Sequence, residues 1–526
     1  MNNGDLLAAI DIGSNSFRLE VARYVNGYIE RVDYLKKTVR LGANLDDNKA
    51  LSQDAMDRGW ACLARFGERI RGFSTNNVTA IATQTLREAS NRSVFVATGQ
   101  QYLGFNIDVI AGQEEARLIY QGVAHNLPDD SRPRMVIDIG GRSTEFMLGQ
   151  GLRSSALASY KVGSVSWSQR YFGNGQLTPQ AFNNATVAAK ALLEETLGTF
   201  SKAHWATAYG SSGTVGAVDE VLRANGRGAT GISHSDLQWL ITKLCDYKYS
   251  EYVDIAGIKA DRKPVIGGGL SILKGIFELF DIDTMLVAKG ALRHGALQDL
   301  VKRDTPRAEL RHHTVDYLMQ RFNVDALQAS RVSQTALHLF DQVDTQQTDL
   351  KSARQRLMWA SQLHEVGSIV SHNDLPIHGA YMLGHVDAPG FSIDELHVLS
   401  QLVLGQRGKL KKVDAMLVDT SFAKQLLCLR LACLLCHARK TPDLNTLKLR
   451  CDAHGYALRL HPTWAQHFPQ SIWLLEEEVK YWARTETLLH IEGIEARSEQ
   501  QGLSVEGQQR VEVMTSTTHT VYIVVF

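Results

Sequence analysis

The chain has 526 residues, with 56 Lys and Arg against 56 Asp and Glu, 21% charged and 44% hydrophobic. This composition excludes a disordered or fibrous chain, and a formal net charge of zero excludes a chain-wide field that would draw in nucleic acid or an anionic membrane. At about 100–200 residues per domain, the length predicts about three to five domains.

The opening MNNGDLLAAIDIG lacks the basic region and apolar run of a signal peptide. The longest apolar stretch, 426–438, is interrupted by Arg430 and is too short for a membrane helix. Six cysteines, at 62, 245, 428, 433, 436 and 451, are too sparse for a disulfide scaffold. A cytoplasmic protein is expected, at most peripheral to a membrane.

Residues 6–41 alternate apolar and polar between Gly-containing turns, which predicts three consecutive antiparallel strands. A helix follows, with Met56, Trp60, Leu63, Phe66 and Ile70 on one face and Ser52 as its N-cap. A strand at 78–83, another helix, a strand at 107–112 and the helix EEARLIYQGVAHNL complete a first α/β unit, and the loop 128–134 is a plausible boundary. The opening is then repeated. Ile10-Asp11-Ile12-Gly13-Ser14-Asn15-Ser16 aligns with Ile137-Asp138-Ile139-Gly140-Gly141-Arg142-Ser143 without gaps, an offset of 127. A duplication at domain scale predicts two similar domains whose facing turns enclose a cleft.

Two more Gly-rich turns follow, Gly210-Ser211-Ser212-Gly213-Thr214 and Ile266-Gly267-Gly268-Gly269-Leu270, the second read as a turn before the helix SILKGIFELF. From about 308 to 440 apolar residues recur at helical spacing, and 441–495 mixes short strands with a helix. Cys433-Leu434-Leu435-Cys436-His437 has the spacing of covalent haem attachment, but its Leu-rich helical setting favours buried thiols. The tail 496–518 is polar and expected to be loosely ordered.

No P-loop or Rossmann glycine pattern is present. The two D-I-G turns instead let backbone N–H groups approach an anion, with Gly13, Ser14, Asn15 and Ser16 in one and Gly140, Gly141, Arg142 and Ser143 in the other. Ser211, Ser212, Gly213 and Thr214 are a third set of phosphate donors. Asp11 and Asp138, at strand ends, are hard oxygen ligands suited to Mg²⁺.

These motifs, with Gln113-Glu114-Glu115-Ala116-Arg117 and Ser143-Thr144-Glu145, resemble the exopolyphosphatase/guanosine pentaphosphate phosphatase family of the sugar kinase, Hsp70 and actin superfamily. The resemblance implies an α/β fold of duplicated actin-like ATPase domains enclosing a cleft, then an all-helical HD-like domain and a small α+β domain. The corresponding ranges are 1–127, 128–306, 307–440 and 441–495, with a tail at 496–526. It further implies Glu115 as catalytic base, Arg87 of Thr83-Gln84-Thr85-Leu86-Arg87 as a phosphate contact, and Glu145 joining Asp138 in holding the divalent ion. The expected reaction is Mg²⁺-dependent removal of terminal phosphate from inorganic polyphosphate, with guanosine pentaphosphate as the alternative substrate. A kinase-like or sensor protein on the same fold is the rival, for which Gly267, Gly268 and Gly269 would form part of a nucleotide pocket. A homodimer through the helical C-terminal region is also implied.

Two departures stand out. Arg142 occupies a position where the family commonly has glycine, and His294 stands where relatives usually carry Glu. In the helical region, His364-Glu365 replaces the metal-binding His-Asp pair, with His372, His378 and His385 following; an active metal site is not expected there. The basic run Arg407–Lys412 is a candidate for guiding a long polyanion.

Overall fold

The computed structural model describes residues 2–26, 28–46, 48–127, 132–301, 306–343, 350–452, 455–461, 467–485 and 487–492, with two later strands. It comprises two compact units: Met1–Arg311 with Asp387–Ile393, and His312–Val386 with Asp394–Phe526.

Unit 1 opens with the antiparallel strands β1 (Leu6–Ile12), β2 (Ser16–Val25) and β3 (Tyr28–Thr38). Helix α1 (Gln53–Arg69) starts at Ser52, whose hydroxyl accepts the Ala55 N–H at 3.3 Å, and its buried face carries Met56, Leu63 and Phe66. Then come β4 (Val78–Ala82), α2 (Gln84–Glu88), α3 (Arg92–Leu103), β5 (Ile107–Val109) and α4 (Gly112–Ala124). The sheet order is β3-β2-β1-β4-β5. Of the loop 128–134, residues 128–131 lie outside the described residues.

The second half repeats this plan with β6 (Arg134–Ile139), β7 (Thr144–Gln150), β8 (Arg153–Tyr160), α5 (Ser164–Tyr171), α6 (Pro179–Leu193), α7 (Leu197–Phe200), β9 (Thr207–Ser211) and α8 (Ser212–Ala224). It continues through β10 (Ile232–Ser233), α9 (His234–Asp246), α10 (Ile266–Phe280), β11 (Thr284–Val287) and α11 (Leu292–Val301). Its order β8-β7-β6-β9-β11 reproduces that of the first sheet, with β10 added at the edge. The two D-I-G segments therefore end equivalent central strands, β1 and β6. One apolar cluster joins the halves, packing Leu7, Ile81, Leu118 and Ile119 with Val136, Met147, Leu292 and Leu297.

Helices α4 and α11 approach closely through glycine. A Cβ on Gly295 would collide with the Leu118 carbonyl, and one on Gly122 with the Ala291 carbonyl. This contact fixes α4, and hence Glu115, against the second half.

The three glycines at 267–269 require a correction. They lie inside the first turn of α10, not in a turn before it. Side chains there would strike Phe172, the Ser168 backbone and Thr214, so close helix packing rather than a loop conformation explains their lack of a Cβ.

Unit 2 holds α12 (Pro306–Arg321) from His312 on, α13 (Ala326–Val343), α14 (Leu350–Gln362), α15 (Leu375–His385), α16 (Ile393–Gly405) from Asp394 on, α17 (Asp414–Leu417) and α18 (Thr420–Leu435). A sheet of β12 (Lys448–Asp452), β13 (Gly455–Arg459) and β14 (Leu489–Glu492) accompanies α19 (Pro469–Trp482). Arg430, which interrupts the apolar run of α18, is 1% exposed and fully engaged, with Glu478 at 2.5 Å and the carbonyls of Gly405 and Gly408 at 2.5 and 2.9 Å. Within the expected tail, β15 (Val511–Thr515) pairs antiparallel with β16 (Val521–Val525); 496–510 and 516–518 lie outside the described residues.

Candidate active site

The D-I-G turns face each other across unit 1. A Cβ on Gly141 would come 2.9 Å from the Ser14 Cβ, so the two turns meet only because Gly141 has no side chain. A cleft of about 470 Å³ opens over them, lined by both turns, Glu115, Asp11, Asp138 and the segment Ser212-Gly213-Thr214 at the start of α8. Ser212 has φ 101°, a backbone state disfavoured for a residue with a Cβ, held where the helix N-terminus meets the cleft. Its hydroxyl accepts the N–H groups of Thr214 and Val215 at 3.2 and 3.4 Å. The Ser16 hydroxyl, buried on the cleft wall, has no hydrogen-bond partner among the described residues. That is the kind of orphaned donor a bound oxyanion would satisfy.

The antiparallel registers set the charge pattern. Asp138 lies directly opposite Glu145 on β7, and in the first half Asp11 lies opposite Arg18 on β2. The duplication thus places an arginine where the second copy has a carboxylate. Arg18 pairs with Asp11 at 2.8 Å, and this outweighs burial in keeping the guanidinium protonated.

Glu114 and Glu115, adjacent on the first turn of α4, have different partners. Glu114 forms a buried pair with Arg117 at 2.7 Å, and Arg117 also reaches Asp299. Glu115 lines the cleft, and its carboxylate accepts from Arg87 Nη1 at 2.8 Å. Burial raises the Glu115 pKa, Arg87 opposes the rise, and Asp11 adds to it. Burial likewise raises Asp138 to about 7, eased by a hydrogen bond from Ser211 and reinforced by Glu115 and Asp11. Glu145 is held well above the usual carboxylate range by burial and then by Glu115 and Asp138. Its carboxylate also accepts from the Ser159 hydroxyl at 2.9 Å.

Among the described residues, no three His, Cys, Asp or Glu side chains are arranged to hold a metal ion by themselves. The donor chemistry still fits a divalent cation, because burial and then Glu115 and Asp138 raise the pKa of Glu145, and a cation beside Asp138 and Glu145 would relieve that repulsion; Asp11 is already paired with Arg18. Water and ligand oxygens would complete such a shell.

Arg87 and Arg142 sit differently from a free phosphate donor. Arg87 donates to Gln84 Oε1, the Ile110 carbonyl and Glu115, so it braces the carboxylate. Arg142 leaves the cleft wall: it donates to Glu88 at 2.7 Å and to the Gly42 carbonyl at 2.8 Å, tying the second half of unit 1 to the first. Its Nε, Nη1 and Nη2 each donate in that tie and Arg142 does not line the cleft, which moves it from its expected place among the phosphate-binding groups. Gly267, Gly268 and Gly269 are also absent from the cleft wall, being spent on the packing of α10.

Sequence reasoning missed the basic rim of Arg18, Lys36, Arg262, Lys289 and Arg293. The Arg262 guanidinium packs on Gly213, where a Cβ would collide with it, and makes no ion pair among the described residues; burial lowers its pKa. Arg18 was detectable, since the 127-residue offset maps it onto Glu145. Arg262 lies in a loop with no periodic signal. His294 takes no part in the cleft wall; its Nδ1 accepts from the Ala291 N–H, and burial followed by Arg293 lowers its pKa to about 4.

In unit 2, His364, Glu365 and His372 share a cavity, whereas His378 and His385 lie outside it. Glu365 is paired with Arg439 at 2.8 Å, so a guanidinium stands beside the carboxylate that would otherwise ligate a metal.

The model of the Ppx/GppA phosphatase family matches residues 20–304, and that of Ppx/GppA phosphatase domain III matches 310–479. A guanosine-5'-triphosphate,3'-diphosphate pyrophosphatase of Vibrio atlanticus is 38% identical over 476 residues, 90% of this chain and 95% of the relative. Proteins of the same name from Vibrio cholerae and Aliivibrio fischeri are 38% and 37% identical, over 90% and 87% of this chain and 95% and 92% of theirs. Among solved structures, an exopolyphosphatase-like protein aligns with TM-score 0.52 at 24% identity, over 57% of this chain and 99% of its own. An exopolyphosphatase from Cytophaga hutchinsonii aligns with TM-score 0.51 at 21% identity, over 57% and 98%.

Proposed function

Since the chain belongs to the Ppx/GppA phosphatase family, we propose that the cleft of unit 1 removes the terminal phosphate of guanosine-5'-triphosphate,3'-diphosphate by water attack, with Glu115 as general base. The observation that carries this reading is a buried carboxylate on the first turn of α4, braced by Arg87 and facing two anion-binding turns. In its ionised form Glu115 accepts a proton as the water oxygen bonds to the terminal phosphorus. The bond from phosphorus to the bridging oxygen breaks, and that oxygen leaves with the electron pair. The products are inorganic phosphate and the shortened substrate. A carboxyl whose pKa burial raises is suited to this exchange, and general-base help is worth about 10²–10⁴-fold.

The N–H groups of Gly13, Ser14, Gly141 and Gly213, the Ser16 hydroxyl and the Arg262 guanidinium would take the phosphate oxygens. Asp138 and Glu145 would hold Mg²⁺, which when bound would neutralise phosphate charge and orient the anhydride, while Asp11 stays paired with Arg18. Tyr34 lines the cleft, with Arg293 and Arg31 over its ring at 5.1 and 5.9 Å.

Inorganic polyphosphate is the second reading, favoured by Arg262 and Lys289 on the rim, which make no ion pair among the described residues and suit a polyanion of any terminal group, whereas Lys36 and Lys259 are paired with Asp261 and Glu220. The test is phosphate release from the two substrates by purified protein with Mg²⁺. A higher kcat/KM on the nucleotide supports the first reading; a higher value on polyphosphate reverses the order, and release from neither overturns both. A homodimer belongs to the same reading and is measured as molar mass in solution. No helix among the described residues is long and apolar enough to cross a membrane.

A further inference from the structure

Unit 2 contains a cavity of about 540 Å³ that the cleft chemistry does not use. Its size falls within the usual range for small-molecule sites. Its floor includes His364, which is 4% exposed. His364 Nδ1 lies 2.7 Å from the Ser361 carbonyl, an acceptor only, so Nδ1 carries the hydrogen and Nε2 presents a lone pair. Burial lowers the His364 pKa and keeps the ring neutral. Among the described residues Nε2 has no hydrogen-bond partner. His437 repeats the arrangement at the cavity wall, its Nδ1 2.8 Å from the Leu434 carbonyl.

The mouth supplies a ring and a charge. Trp473 is 56% exposed, a large indole left in water at the cavity edge, and Glu477 and Tyr481 follow it at four-residue intervals along the same face of α19. Arg439 is neutralised by Asp325 and Glu365 at 2.7 and 2.8 Å. Glu478 is taken by Arg430, and Glu477 by Lys480 at 2.6 Å. Arg407 is the exception, because its partner is the His372 carbonyl at 3.3 Å and it makes no ion pair among the described residues.

We propose that this cavity is a second ligand site that takes a purine mononucleotide. The base is guanine: it stacks on Trp473, its N1–H donates to the one lone pair of His364 Nε2, and the phosphate meets Arg407. A metal is disfavoured, since Arg439 occupies Glu365 and no three ligating side chains converge among the described residues.

The test is calorimetric titration of the full chain with 5'-GMP and, separately, with guanosine and with inorganic phosphate. Photocrosslinking with an azido analogue of 5'-GMP locates the bound ring. Both Trp473 and Arg407 are exposed, so Trp473→Leu and Arg407→Ala leave the fold intact. The proposal expects 5'-GMP to bind more tightly than either fragment and to crosslink within 364–372 or 473–481. Each variant should weaken binding about tenfold or more, and Trp473→Leu should leave phosphate release in unit 1 unchanged. Binding that both variants leave intact, crosslinking confined to unit 1, no 5'-GMP binding at millimolar concentration, or Zn²⁺ binding in place of 5'-GMP would each overturn it.

Discussion

A carboxyl buried as deeply as that of Asp138 makes the site costly to the fold when it is empty of counter-charge. Its ordinary pKa of 3.8 rises to about 7. Between those values the folded state holds a proton that the unfolded chain has released, so stability is full below about pH 4 and falls as pH climbs through 7. The full shift corresponds to about 4 kcal/mol, an upper bound because Glu115 and Glu145 share the same field. Without divalent cation, the melting temperature should therefore drop from pH 5 to pH 8, and Asp138→Asn should flatten that slope. Mg²⁺ at pH 8 should raise the melting temperature of the native chain more than that of the variant. A native slope equal to that of Asp138→Asn would show that the carboxyl is not perturbed. Asp11 and Asp138 stood out at the ends of repeated strands, whereas Glu115 and Glu145 were singled out only through the family resemblance. Arg262 was not legible, because only the tertiary fold lays it on Gly213.

The elements that matter are two equivalent hairpins and one pair of helices. The repeat of seven residues in sequence predicted the paired sheets, and the structure adds that Asp11 faces Arg18 where Asp138 faces Glu145, so the copies have diverged in charge while keeping their register. Local composition misled at 267–269, where three glycines look like a turn yet close packing against α5 draws them into α10, overriding their poor helix propensity. At Gly295 the same need for closeness controls the site. Gly295→Ala should push α11 from α4, cost about 1–3 kcal/mol, and lower kcat by displacing Glu115. Thermal melts and rates measured together check this; a variant with native stability and rate would mean that the helix pair does not hold the base. Arg142, which replaces a glycine of the family pattern, acts at this scale as a tie to Glu88 and Gly42.

At the scale of the whole molecule, the balance of 56 basic and 56 acidic residues is compatible with a polyanionic substrate because charge is distributed locally. Basic side chains rim the cleft of unit 1, while Asp11, Glu115 and Asp138 place carboxylates on its wall. The enzyme hydrolyses phosphoanhydride bonds, and the relatives that share about nine-tenths of its length extend the likeness through both units. The helical region was legible from its periodicity; the joining of 387–393 to unit 1 was not, because contacts distant in sequence decide it. The central claim rests on one carboxylate. Glu115→Gln, measured for phosphate release from guanosine-5'-triphosphate,3'-diphosphate with Mg²⁺, should lose about 10²–10⁴-fold in kcat while binding substrate with near-native affinity. Native turnover by that variant would contradict the account.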